Sequence, residues 1–229
     1  IGSARIIKML NVVEDNLVVE SKGIYSIENY LTSRRLMYWQ VYLHKTAVAC
    51  EKVLINALNR AKFLRMTGHD IFASPSLDYF LCNNIDASHF HTSPEALEHY
   101  SLLDDNDIWC ALKVWQKSND KILALLSSDV INRHIFKVEV SDSPFPSDYV
   151  CQIKEQLASH FNISPDDTKH LYSIDTVQKD MYDINDDHIS ILYKDGTLRD
   201  IAEASDILNI SLLSRKVKKH YFCYQKIPD

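Results

Sequence analysis

The sequence predicts an α+β protein: a mainly α-helical first part opened by a β-hairpin, followed by a small antiparallel sheet with helices. Three observations predict it. Gly and Pro are scarce, 4 and 6 in 229 residues, which favours long helices over frequent sharp turns. Between Ile24 and Met66 neither occurs, and apolar residues fall at helical spacing. After about Arg133 the texture changes to short segments in which apolar and polar residues alternate, as they do in strands.

Taken in order, "RIIKMLNVVEDNLVVES" reads as two short strands over 5–20 around the turn Glu14-Asp15-Asn16. The helical segment 24–66 is one or two long helices, with Gly68 as the stop. Residues 67–94 are looser and carry Ser-Pro pairs at 74–75 and 93–94. "PEALEHYSLL", "DDNDIWCALKVWQ" and "NDKILALLSSDVINR" follow as short helices, with Asp104 or Asp105 and Asn119 as N-caps. "IFKVEVS" is strand-like, and "PSDYVCQIKEQLASHF" is an amphipathic helix opened by Pro146 and Ser147. "KHLYSID", "HISILYKDGTLRDI" and "KKHYFCYQK" alternate like strands, with Asp195-Gly196 as a turn. A soft boundary near Asp142 divides a helical part, 1–141, from a small α+β part, 142–229.

Composition narrows the function classes. A net charge of −6 gives no whole-chain basic field for nucleic acid. No apolar run approaches the ~20 residues of a membrane span, and no signal peptide is visible. The five Cys are scattered and form no Cys-x-x-Cys, which favours reduced thiols and a cytoplasmic setting. No phosphate-binding Gly-rich loop, dinucleotide fingerprint or serine nucleophile elbow occurs.

The stretch "RRLMYWQVYLHKT" needs a reason for its polar groups. At about 100° per residue, Arg34, Tyr38, Tyr42 and Lys45 share one helical face. A planar fork, a point charge and two phenols can hold a polyanion with a sugar or base attached. The same residues can equally line a subunit or interdomain interface. The pattern leaves both readings open.

The longer stretch "YSIENYLTSRRLMYWQVYLHKTAV" resembles the helix that follows the catalytic core in HD-domain phosphohydrolases of the deoxynucleoside triphosphate triphosphohydrolase type. The hairpin before it and the later "LLDDNDIW…NRHIFKV" are similar to the same family in the same order. The resemblance covers residues 1 to about 140 and fades beyond. It implies that Arg34 contacts the substrate phosphates and that Tyr42 lies beside the deoxyribose. It implies that His44, Lys45, Arg133 and Lys137 lie near an activating nucleotide in regulated members. It also implies a homo-oligomer.

In that family a divalent metal, held by His, His-Asp and a distant Asp, activates water for attack on phosphorus. By order those ligands precede the hairpin. The chain, which opens with Ile1, is therefore expected to be the C-terminal segment of such a protein. It would have no catalytic residue, metal ligand or cofactor of its own, its upstream HD domain would be its partner, and a non-enzymatic assembly or regulatory module is the alternative.

Other clusters read as structural. His69-Asp70 follows a helix-ending Gly, and His44 already belongs to the Tyr-x-His-Lys element. His89 and His91 could chelate a metal only if extended. Asp186-Asp187-His188 is a similar temptation. "DDND" at 104–107 reads as a helix cap. The basic end, with Arg215, Lys216, Lys218, Lys219 and Lys226 among aromatics, reads as an edge strand guarded by lysine.

Overall fold

The computed structural model describes residues 2–179, 188–205 and 217–227. The α+β class holds, with an N-terminal hairpin, many helices and two small sheets. The chain forms two compact units. One comprises 1–44 and 176–219, the other 45–175 and 220–229. They do not coincide with the expected parts 1–141 and 142–229. The last strand returns to pair with residues 137–141, so sequence neighbours and spatial neighbours differ here.

The first unit opens with α1 (Ser3–Lys8), then β1 (Leu10–Val13) and β2 (Asn16–Glu20). The expected first strand is thus shorter than predicted, because Arg5–Lys8 is helical. Ile6 and Met9, three apart, both pack against the core, a helical rather than alternating spacing. The hairpin turn is tight, with Val13 opposite Asn16 and both Glu14 and Asp15 at positive φ, 49° and 60°. That is the turn whose twist suits paired strands. Gly23 follows in a short 3-10 turn, where a Cβ would lie 2.8 Å from Val19 Cγ1.

Helix α2 (Ile24–Met37) buries Ile27 and Leu31 against Val19, Ile191, Ile201 and Ala204. Val19 lies in β2, Ile191 in β5 (Ser190–Leu192), and Ile201 and Ala204 in α10 (Ile201–Ala204), which follows β6 (Leu198–Asp200). The sheet order is β1-β2-β5-β6, with β2 and β5 parallel, so it is mixed rather than antiparallel throughout. Glu28 is buried and accepts a short hydrogen bond from the Ser205 hydroxyl.

The second unit is built on α3 (Lys45–Met66). Its buried residues Val48, Ala49, Val53, Ala57, Ala61 and Leu64 repeat at helical spacing. The predicted stop at Gly68 is a Schellman end: Gly68 has φ 86°, His69 N donates to Leu64 O, and Gly68 N donates to Arg65 O. The segment expected to be loose contains α4 (Pro75–Cys82) and α5 (His89–Thr92), and α6 (Pro94–Leu102) follows as the expected helix. Both Ser-Pro pairs start helices there. Ser74 and Ser93 accept from the N–H three residues on, and each Pro sits in the first turn.

Helix α7 (Asp105–Trp115) has a reciprocal capping box between Asp104 and Asp107, which accounts for the acidic run. Helix α8 (Lys121–Asn132) is capped by Asp120, not Asn119, through a 2.8 Å bond from Leu123 N. Strand β3 (Lys137–Ser141), α9 (Ser147–Phe161), a 3-10 turn (Pro165–His170), β4 (Tyr172–Lys179) and β7 (Val217–Tyr224) complete the fold, with sheet order β3-β7-β4. Buried Asn56 fastens α3 to this region: its amide donates to His170 O and Tyr172 O, and it accepts from Ser173 Oγ.

Two expectations follow from this unit. Arg133 occupies the left-handed position that ends α8, at φ 61°, where His134 N reaches back to Asp129 O. An L side chain there costs about 1–2 kcal/mol relative to Gly. Arg133→Gly is expected to raise stability by about 1 kcal/mol, after the greater unfolded-chain entropy of Gly. A melting temperature at or below the parent's would contradict this.

His170 is buried, with Nε2 unpartnered. Burial, then the charges of Arg60 and Lys169, push its imidazole down to about 4. The unfolded chain, with an ordinary His near 6.5, takes up this proton first. Stability is therefore unaffected above pH 6.5 and falls as pH drops from 6.5 toward 4, losing about 2 kcal/mol by pH 5. Urea midpoints measured between pH 7 and 5 test this, and His170→Leu should flatten the slope.

Candidate functional site

Arg34, Tyr38 and Tyr42 lie in the last turns of α2 and in the π-helical turn that follows it, Tyr38–Tyr42. The widened turn is marked by Leu43 N donating to Tyr38 O at 2.7 Å. Such turns often occur where a helix is re-aimed for function. The Arg34 guanidinium carbon sits 6.0 Å from the Tyr38 ring centre, and the Tyr38 and Tyr42 rings are 5.5 Å apart at 53°. Together with Tyr30, Ser33 and Met37 they line a cleft of about 490 Å³. Arg34 and Tyr38 are half-buried, whereas Tyr42 is exposed.

The face differs from the expected one at its end. Lys45 opens α3, beyond the π-turn and in the other compact unit, so no uninterrupted helix aligns it with Arg34. His44 is the last residue of the first unit and is exposed. Tyr30 was not singled out from the sequence. The signal was present, because Tyr30, Arg34, Tyr38 and Tyr42 are spaced by four residues, which stacks them along one side of a helix.

Arg133 and Lys137 line different cavities of the second unit. Lys137 Nζ lies 3.3 Å from Glu139 Oε1 and 5.3 Å from the Tyr224 ring centre. Glu139 accepts from the hydroxyls of Tyr149 and Tyr224, at 2.9 Å and 2.7 Å. Burial would raise this carboxyl, but the bonds from Tyr224, Tyr149 and Lys137 outweigh it and hold it below its usual range. Tyr224 itself is pushed up to about 12 by burial and by that carboxylate.

Among the described residues, no group of three or more His, Cys, Asp or Glu could hold a metal ion. Asp70 is fully exposed beside Arg65, and His89 Nδ1 bonds to Asp86 at 2.8 Å. His89 and His91 sit in the helical turn α5, not in an extended segment, so their side chains diverge. Asp186 and Asp187 lie outside the described residues, as do Arg215 and Lys216. No described helix is long and apolar enough to cross a membrane. Chemically, the Arg34 cleft offers a cation, phenol hydroxyls and aromatic faces. It can bind an anion carrying a ring, and among the described residues its lining includes no carboxylate or imidazole to move a proton.

Residues 1–73, which include the cleft, match the family described as HD associated region. A crystal structure of a phosphohydrolase from Bacteroides thetaiotaomicron is similar over 99% of this chain and 56% of that one, at 57% identity and a TM-score of 0.92. The uncharacterised protein YwfO of Bacillus subtilis is 28% identical over 97% of this chain and 50% of its own length. A hypothetical protein from Aquifex aeolicus shares the fold, with a TM-score of 0.57 at 22% identity, over 96% of this chain and 47% of that one. The chain thus spans about half the length of each of these relatives.

Proposed function

We propose that this chain works as the C-terminal segment of a longer, metal-dependent HD phosphohydrolase acting on (deoxy)nucleoside triphosphates, where it completes the substrate site and mediates assembly. One observation carries the reading. The Arg34–Tyr38–Tyr42 cleft falls within the HD-associated region of a chain 57% identical to a phosphohydrolase. In this reading the Arg34 fork binds substrate phosphates and the Tyr42 ring lies beside the sugar. The divalent metal belongs to the upstream HD domain, the chain's first partner. The described residues offer no ligand set for it, so no step here runs through it.

His44, Lys45, Arg133 and Lys137 would serve a regulatory nucleotide. Arg133 and Lys137 line separate cavities, so a shared nucleotide would have to reach both. The alternative, a non-enzymatic oligomerisation or regulatory nucleotide-binding module, is favoured by the exposed apolar side chains of Leu36 and Val41, which a second copy could cover. A cytoplasmic homo-oligomer fits both readings.

The test is phosphate release from a panel of nucleoside and deoxynucleoside triphosphates with manganese or magnesium. The chain alone is expected to release none, and the protein extended upstream to its relatives' length is expected to turn over. Turnover by the chain alone, abolished by His44→Ala or His69→Ala, would overturn the assignment. Light scattering across a dilution series reads the assembly: a monomer at tens of micromolar argues against it.

A further inference from the structure

The second unit contains a partly open, largely apolar pocket of about 620 Å³ lined by α3, α7 and α8. The volume lies within the range of small-molecule sites. Val53, Leu54, Ile108 and Leu112 form apolar wall, and Trp109, although 47% exposed, lends its indole to the lining. A solvent-facing indole beside an apolar hollow offers a ligand both contact area and a π face.

The polar groups of the lining choose the ligand's charge. Three carboxylates, Glu51, Asp105 and Asp129, stand against one cation, Arg133. Asp129 is 4% exposed, and Gln225 Nε2 bonds one of its oxygens at 2.8 Å. Its other oxygen lies 3.5 Å from His134 Nδ1, on a side chain that is itself 71% exposed. Burial pushes the Asp129 carboxyl up, and the bond from Gln225 only partly offsets this. Lys52 Nζ stands 3.6 Å from Glu51 but is held more closely by Asp175, at 2.9 Å, so the three carboxylates of the lining still outnumber the cations beside them. An anion entering it would meet net negative charge and displace apolar contact for nothing. A cation would meet three carboxylates and the indole face.

The geometry points to this cavity as a binding site for a small amphipathic amine, an apolar or aromatic body bearing an ammonium group. The assignment does not depend on the phosphohydrolase reading, and it competes with the regulatory-nucleotide role proposed above for Arg133, which lines this same cavity.

Three isosteric probes test it: phenylpropylammonium, phenylpropanol and phenylpropanoate, titrated into the whole chain while the Trp109 indole N–H resonance is followed. Trp109→Phe identifies that resonance among the three tryptophans. The ammonium probe is expected to shift it saturably and to bind about ten-fold tighter than the alcohol, with the carboxylate weakest. The double variant Glu51→Gln, Asp105→Asn, both at exposed positions, is expected to remove most of the amine's advantage and leave the alcohol's affinity unchanged. Equal binding of amine and alcohol, tighter binding of the carboxylate, or no shift with any probe would each overturn the assignment.

Discussion

Replacing Arg60 by leucine is expected to destabilise the second unit by about 4 kcal/mol, more than any other single change considered. The Arg60 side chain is 8% exposed, and its guanidinium binds two carboxylates. Its Nε and Nη2 donate to the two oxygens of Asp120, at 3.1 Å and 2.6 Å, and its Nη1 donates to Asp167 Oδ1 at 2.5 Å. Asp120 caps α8, and Asp167 sits in the 3-10 turn after α9, so one side chain of α3 fastens two other segments. Leucine would leave two neighbouring carboxylates without their cation. They keep some access to water, with side chains 19% and 31% exposed, which limits the loss to the middle of the range for broken buried pairs.

The effect has a pH signature. Burial raises both carboxyls, but Arg60 outweighs it at Asp120, and Ser164 and Arg60 do so at Asp167, so both titrate below the ordinary 3.8. Groups with depressed folded values stabilise above the unfolded value and lose that contribution as pH falls through the folded one. The gap between parent and Arg60→Leu should therefore be full at neutral pH and shrink below about pH 4. Arg60→Lys keeps the charge and loses the fork, and should fall between the two. Urea unfolding at several pH values reads all three proteins. A loss under about 1 kcal/mol would mean that the ion cluster contributes little to this fold.

The second large effect concerns activity. In the longer protein, Arg34→Ala is expected to lower kcat/KM by about ten- to hundred-fold, the equivalent of a charge-assisted phosphate contact worth about 1.5–3 kcal/mol. Stability should stay near the parent's, because Arg34 is only half-buried in a solvent-facing cleft. Tyr42→Ala should cost less, and Tyr42→Phe least if the ring rather than the hydroxyl is what the sugar meets. Unchanged turnover with Arg34→Ala, or a fall in melting temperature that matches the loss of activity, would favour a packing role for this face.

Local chemistry was legible without coordinates. The Glu14-Asp15 hairpin turn, the helical run from Ile24, the Gly68 stop and the Asp104 cap each depend on residues a few positions apart. Propensity, capping and turn geometry act over that distance. The cleft was partly legible for the same reason, since Arg34, Tyr38 and Tyr42 recur at one helical interval. The Ser74-Pro75 pair was visible but was read as part of a loose stretch, although Ser followed by Pro is equally a helix start.

What sequence reading could not supply depends on residues far apart in the chain. Ile6 and Met9 turn an apparent strand helical because Val19, Ile27 and Ile191 form the core they meet. The π-turn at Tyr38–Tyr42 separates Lys45 from the face that an ideal helix would have given it. The sequence by itself determined the fold class, most of the element types and one cation–aromatic face, all set by neighbours within a few turns. Only the tertiary structure decided the two units, the mixed sheet, the Arg60 ion cluster and the acid-rimmed cavity. Each of these joins segments tens of residues apart, where packing and charge compensation, not local propensity, select the arrangement.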